Sequence, residues 1–92
     1  VQAVTRDIAM LLDAKLTNAD VISVITDSRV KTLTKVELFD VYQGINLPEH
    51  KKSMAYTLTF QTAEQSMTDD EITNAMAKIT THLIEKLNAE IR

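Results

Sequence analysis

The chain has 92 residues, 45% of them hydrophobic and 25% charged, and a formal net charge of −3. That length holds one domain, residues 1–92, with a thin core. The absence of cysteine excludes disulfides and thiolate metal sites, and the acidic balance argues against a chain built only to grip nucleic acid.

Residues 4–12 read as a half-buried strand, with Val4, Arg6, Ile8, Met10 and Leu12 on one parity and Thr5, Asp7, Ala9 and Leu11 on the other. Thr17 or Asn18 can cap a helix that runs to about residue 30, with Val21, Ile22 and Ile25 as its apolar stripe. Residues 33–42 are rich in β-branched and aromatic side chains and predict a second strand. The lone Gly44 and the lone Pro48 then mark residues 44–52 as a loop. Residues 53–61 alternate most clearly: Met54, Tyr56, Leu58 and Phe60 against Ser53, Ala55, Thr57, Thr59 and Gln61. Thr68-Asp69-Asp70-Glu71 is a capping box for a helix to about residue 87, striped by Ile72, Ala75, Met76, Ile79, Leu83, Ile84 and Leu87. Residues 89–92 supply a short last strand.

The order β-α-β-β-α-β predicts an α+β, ferredoxin-like split βαβ fold. Two helices cover one face of a four-stranded antiparallel sheet and leave the other open. Parity sends Ile8, Met10, Leu58 and Phe60 to the helix side and Thr5, Asp7, Ala9, Ser53, Thr57 and Thr59 to the open side. In the second strand Phe39 and Val41 point in while Leu38, Asp40 and Tyr42 point out, unless a β-bulge flips that parity. Val1 stands where an initiator Met would be, which suggests a piece of a longer chain or a processed one. There is no signal-peptide pattern and no stretch near the roughly 20 apolar residues of a membrane span. A cytoplasmic location fits these features.

No catalytic constellation emerges. The single glycine excludes a Gly-rich phosphate loop, and His50 and His82 stand in no ligand spacing. Asp69, Asp70 and Glu71 read as a helix start rather than as metal ligands. Lys51 and Lys52 are either solvated loop residues or phosphate contacts. Asp40 and Tyr42, two apart on one strand, share a face. A ring can stack on an unpaired base for about 1–3 kcal/mol, and a carboxylate can accept from guanine N1–H and N2–H₂. Ser53, on the next strand and the same face, can add a third contact.

Arg6-Asp7-Ile8-Ala9, Val36 to Gly44 (VELFDVYQG), Leu47-Pro48-Glu49, Lys52-Ser53-Met54-Ala55-Tyr56 and Thr68 to Glu71 occur in that order. Together they resemble the ferredoxin-fold anticodon-binding domain that ends the β chain of bacterial phenylalanyl-tRNA synthetase. The resemblance covers essentially the whole chain, including the ending Asn88 to Arg92. It implies a domain that holds the anticodon stem-loop of tRNA for phenylalanine and reads guanine at the first anticodon position. It carries RNA-binding roles to Asp40, Tyr42, Ser53 and Ala9; Lys51 and Lys52 join them as RNA-binding candidates on the phosphate-contact reading above. It implies no cofactor in this domain, ATP and Mg²⁺ in the full ligase, and as partners the rest of the β chain and an α chain in an α2β2 assembly. Gln2 and His50 depart from the family, which usually has Pro and Gly there. A Gly at that second position often takes positive φ, so His50 bears on the loop and on the reach of Lys51 and Lys52. Thr57 and Thr59 stand at the positions of RNA-recognition rings, so binding should be narrow, one or two bases.

Two other readings remain. A small-molecule-sensing ferredoxin-like domain usually has a Gly-containing turn after the first strand, where this chain has Asp13-Ala14-Lys15-Leu16. A subunit-docking domain needs a large apolar patch on the open face, where parity puts only Leu11 and Leu38.

Overall fold

A computed structural model describes residues 2–63 and 66–92. Its elements are β1 (Ala3–Asp13), α1 (Asn18–Asp27), β2 (Leu33–Tyr42), β3 (Lys51–Gln61), α2 (Asp69–Leu87) and β4 (Glu90–Ile91). They form one four-stranded sheet in the order β2-β3-β1-β4, with every pairing antiparallel. This is the ferredoxin-like α+β fold expected from the element order.

β3 organises the sheet. It pairs with β1 without a break from Ala3↔Gln61 to Asp13↔Lys51. Met54, Tyr56, Leu58 and Phe60 are buried on one face of β3, and on the same face of β1 Met10 and Ile8, the partners of Met54 and Tyr56, are buried together with Leu12. Val21 and Ile25 of α1 and Ala75, Ile79 and Leu83 of α2 close the same core from above. Each large apolar side chain so buried contributes about 1.5–3 kcal/mol. A one-residue slip would turn that row to water, so core burial fixes the register.

Both helices begin on reciprocal caps. Thr17 Oγ1 accepts from Asp20 N while an Asp20 carboxylate oxygen accepts from Thr17 N. Those two bonds, backbone first, hold the Asp20 carboxyl below the usual carboxylate range, with help from the nearby Lys52 charge. Thr68 and Glu71 repeat the device at α2. Tyr56 spans the layers. Its ring is fully buried, its hydroxyl donates to Asn18 Oδ1 at 2.7 Å, and burial pushes its pKa up to about 12.

Four details differ from the sequence expectations. α1 stops at Asp27 rather than near residue 30, because Ser28 turns its N–H and hydroxyl back onto Ile25 O and Arg29 takes φ 59°. β3 starts at Lys51, so Lys51 and Lys52 lie in the strand and not in the loop. Ile84, assigned to the apolar stripe of α2, is exposed. The second-strand parity is split by a bulge. Leu38 pairs with Tyr56 and packs on the core, Phe39 is the extra residue, and Asp40 pairs with Ala55 on the other face. Leu38 therefore points in and Phe39 is exposed, the reverse of the simple alternation.

The loop from Gln43 to His50 closes on two backbone bonds, Lys51 N to Pro48 O and Ala14 N to His50 O. His50 itself adopts the left-handed conformation, φ 65°, so the loop keeps a geometry that glycine would adopt freely. The strain should be relieved in His50→Gly. After subtracting glycine's greater unfolded-state freedom, we expect a gain of about 0.5–1 kcal/mol. Urea denaturation of the two proteins measures it directly.

Candidate functional site

The strand pairings define rows across the open face. Ala9, Ala55 and Asp40 stand side by side on β1, β3 and β2, and Leu11, Ser53 and Tyr42 form the next row. Adjacent strands are about 4.8 Å apart and alternate residues on one strand about 6.6 Å, so the cluster covers an area of about 10 by 7 Å. Ala9, Asp40, Tyr42 and Ser53, four of the residues singled out from the sequence, meet in this patch. Two more belong to it that the sequence reading did not single out. Ala55, nearly buried, is the centre of the floor, and Leu11, half-buried, extends it toward β4.

The floor is shallow because Ala9 and Ala55 are small. A flat group can approach the backbone of β1 and β3 there. At one side Asp40, exposed on the edge strand, supplies an acceptor pair. In the next row Tyr42 supplies an aromatic ring that is 43% exposed. Ser53 stands opposite Tyr42 and supplies a hydroxyl. Two acceptor oxygens, a donor–acceptor hydroxyl and a ring suit a planar, hydrogen-bonding ligand such as a nucleobase.

The bulge at Phe39 makes this grouping possible. With strict alternation Leu38, Asp40 and Tyr42 would share one face. The extra residue lets Leu38 enter the core while Asp40 and Tyr42 still face outward. A single inserted residue leaves no mark in composition, so only the pairing reveals it.

Lys51 and Lys52 part company. Lys51 pairs with Asp13 on the open face, two positions from Ser53. Lys52 pairs with Leu12 on the helix side, and its ammonium donates to the carbonyl of Leu16 at the entry to α1. Lys52 is thus a tie between β3 and the β1–α1 turn, away from the other candidates. At the far edge, Arg92 N donates to Ala9 O, which stands Arg92 beside the floor as a cation the sequence reading did not consider.

The other half of the open face is polar and internally satisfied. Thr57 donates to Asp7 Oδ1 at 2.9 Å, and Lys35 pairs with Glu37 at 3.5 Å. Along β1 to β3 this face carries Asp7, Asp13, Glu37 and Asp40 against Lys35 and Lys51. Such a surface offers little to a phosphate backbone.

Residues 1–92 match the family model of the ferredoxin-fold anticodon binding domain. The chain belongs to that family. It is 65% identical over 92 residues to the phenylalanine–tRNA ligase beta subunit of Lactococcus lactis subsp. lactis, covering 100% of this chain and 12% of that subunit. It is 52% identical over 90 residues to the phenylalanine–tRNA ligase beta subunits of Streptococcus agalactiae serotype Ia and Streptococcus mutans serotype c, covering 98% of this chain and 11% of each subunit. The chain therefore spans about 11–12% of the length of these relatives.

The two lysines should behave differently on truncation. Lys52→Ala removes a charge-assisted bond and should lower stability by about 1–3 kcal/mol, whereas Lys51→Ala should change it by less than about 0.5 kcal/mol. Paired thermal or urea melts distinguish them.

Proposed function

We propose that this chain is the anticodon-binding domain of a phenylalanine–tRNA ligase beta subunit, and that its open face reads guanine at the first anticodon position of tRNA for phenylalanine. The observation that carries the reading is the meeting of Asp40, Tyr42, Ser53 and Ala9 around Ala55 on the uncovered face.

Each side chain has a distinct task. Tyr42 stacks on the splayed base. The Asp40 carboxylate accepts from N1–H and N2–H₂, a bidentate pair that only guanine offers in that arrangement. Adenine would turn its unprotonated N1 toward the same oxygens and leave a desolvated carboxylate without donors. Ser53 adds a hydrogen bond at the rim. Ala9 and Ala55 let the base lie close to the sheet, where a larger side chain would hold it off. Lys51 contacts a neighbouring phosphate, and Lys52 does not take part.

The acidic face gives discrimination rather than grip. Phosphate contacts dominate nucleic-acid affinity, and few cations surround this patch. The remaining affinity comes from the rest of the β chain and the α chain in an α2β2 enzyme acting in the cytoplasm. That enzyme joins phenylalanine to tRNA with ATP and Mg²⁺. Among the described residues no group of three or more His, Cys, Asp or Glu side chains converges to hold a metal. The domain's own part is to position one end of the tRNA.

Fluorescence anisotropy with anticodon stem-loops carrying guanine or adenine at the first position tests the reading. Wild type should prefer guanine by about 10- to 100-fold, a discrimination of about 1–3 kcal/mol. Asp40→Ala should abolish the preference, and Tyr42→Ala should weaken both ligands alike. Equal affinity of the wild type for the two stem-loops, or a preference that survives Asp40→Ala, would refute it.

A further inference from the structure

The Tyr42 side chain does not stand free. A Cβ placed on Gly44 would lie 2.7 Å from Tyr42 Oη, 2.9 Å from Cζ and 3.5 Å from Cε1. The ring therefore folds back across the chain just beyond the end of β2 and rests where any other residue would carry its side chain. Gly44 has no positive φ, so its backbone conformation is open to every L-residue. What the fold uses at this position is the missing Cβ alone.

We infer that Gly44 is a positioning residue for the Tyr42 ring: its missing Cβ leaves the space that the hydroxyl end of the ring fills, and that space sets the direction in which the ring lies when a base arrives. This inference deepens the anticodon-binding reading and rests on it for the ligand, but the ring's placement stands on the geometry of the free protein. A tyrosine on an edge strand has two free side-chain torsions and a cost in ordering them on binding. Contact with Gly44 on one side leaves fewer positions for the ring, so part of that ordering is complete before the base arrives. The contact also explains the single glycine in a chain that otherwise does without one. Neither His50 nor Asn88 uses glycine, although both take positive φ. The one glycine is spent on close approach rather than on backbone freedom.

The contact is with the far end of a side chain that can move, so substitution displaces the ring rather than the backbone. The Cζ atom belongs to the ring, so an alanine methyl at residue 44 is not accommodated by turning the hydroxyl. Cζ and Oη lie on the Cβ–Cγ axis, so turning the ring about χ2 leaves both in place, and the ring must swing about χ1.

The test uses Gly44→Ala in two readouts. In the free protein, the Gly44 Hα protons should show ring-current shifts that vanish in Tyr42→Leu. Gly44→Ala should displace the Tyr42 ring-proton resonances and leave the amide spectrum of α1 and α2 unchanged. In binding, Gly44→Ala should weaken the guanine stem-loop about tenfold in the wild-type background and have no further effect in the Tyr42→Ala background. Unmoved Tyr42 ring resonances in Gly44→Ala would overturn the inference. So would an equal loss of affinity in the Tyr42→Ala background, which would assign the effect to the loop. If the wild type binds no stem-loop, the anticodon-binding reading fails, and the ring resonances of the free proteins still decide the role of Gly44.

Discussion

The burial of Met54, Tyr56, Leu58 and Phe60 beneath the two helices is the constraint on which the rest of the structure depends. These four side chains form one face of β3 and leave no freedom in its register. With β3 fixed, Ser53 and Ala55 must face the other way. Their partners on β1 and β2 follow by pairing alone, so a hydrophobic row on one side specifies a polar cluster on the other. The same β3 anchors the start of α1. Tyr56 reaches Asn18 in the first turn of α1, and Lys52 reaches the Leu16 carbonyl just before it.

Division of labour between the two faces explains the acidity of the chain. The helix side supplies stability through apolar burial and two capping boxes. The open side is free of that duty and can hold Asp40 and Tyr42 in solvent. A negatively charged open face repels phosphates over a Debye length of about 8 Å at physiological salt. Only a base splayed away from its backbone approaches such a face favourably. In the proposed role this makes the domain selective and weak, which suits a module covering 12% of a relative's length.

Much of the fold can be read directly from the residues, for identifiable reasons. β3 is legible because its alternation is strict, and α2 because a Thr-x-x-Glu box precedes a long 3.6-residue stripe. Ala9 and Ser53 are legible as open-face residues because parity carries across an unbroken β1–β3 ladder. The irregularities at Thr34 and Phe39 are not legible, since an extra residue in β2 changes neither propensity nor composition, and between them Leu38 faces inward. Lys51 and Lys52 look like loop residues because charge is common in loops. Cross-strand pairing with Leu12 and Asp13 extends the strand over them and sends them to opposite faces. The early stop of α1 depends on Ser28 and Arg29, neither of which carries the usual glycine signal for a helix end. Gly44 reads from sequence as a turn, whereas its contact is with a side chain two residues back.

The central claim is that one patch, around Ala55 on the uncovered face, meets the anticodon. Titration of the ¹⁵N-labelled chain with an anticodon stem-loop, followed by amide chemical shifts, tests it most directly. The account predicts saturable shifts concentrated at Ala9, Leu11, Asp40, Tyr42, Ser53 and Ala55, with α1 and α2 unmoved. Shifts centred on the helices, or spread evenly over the molecule, would contradict it.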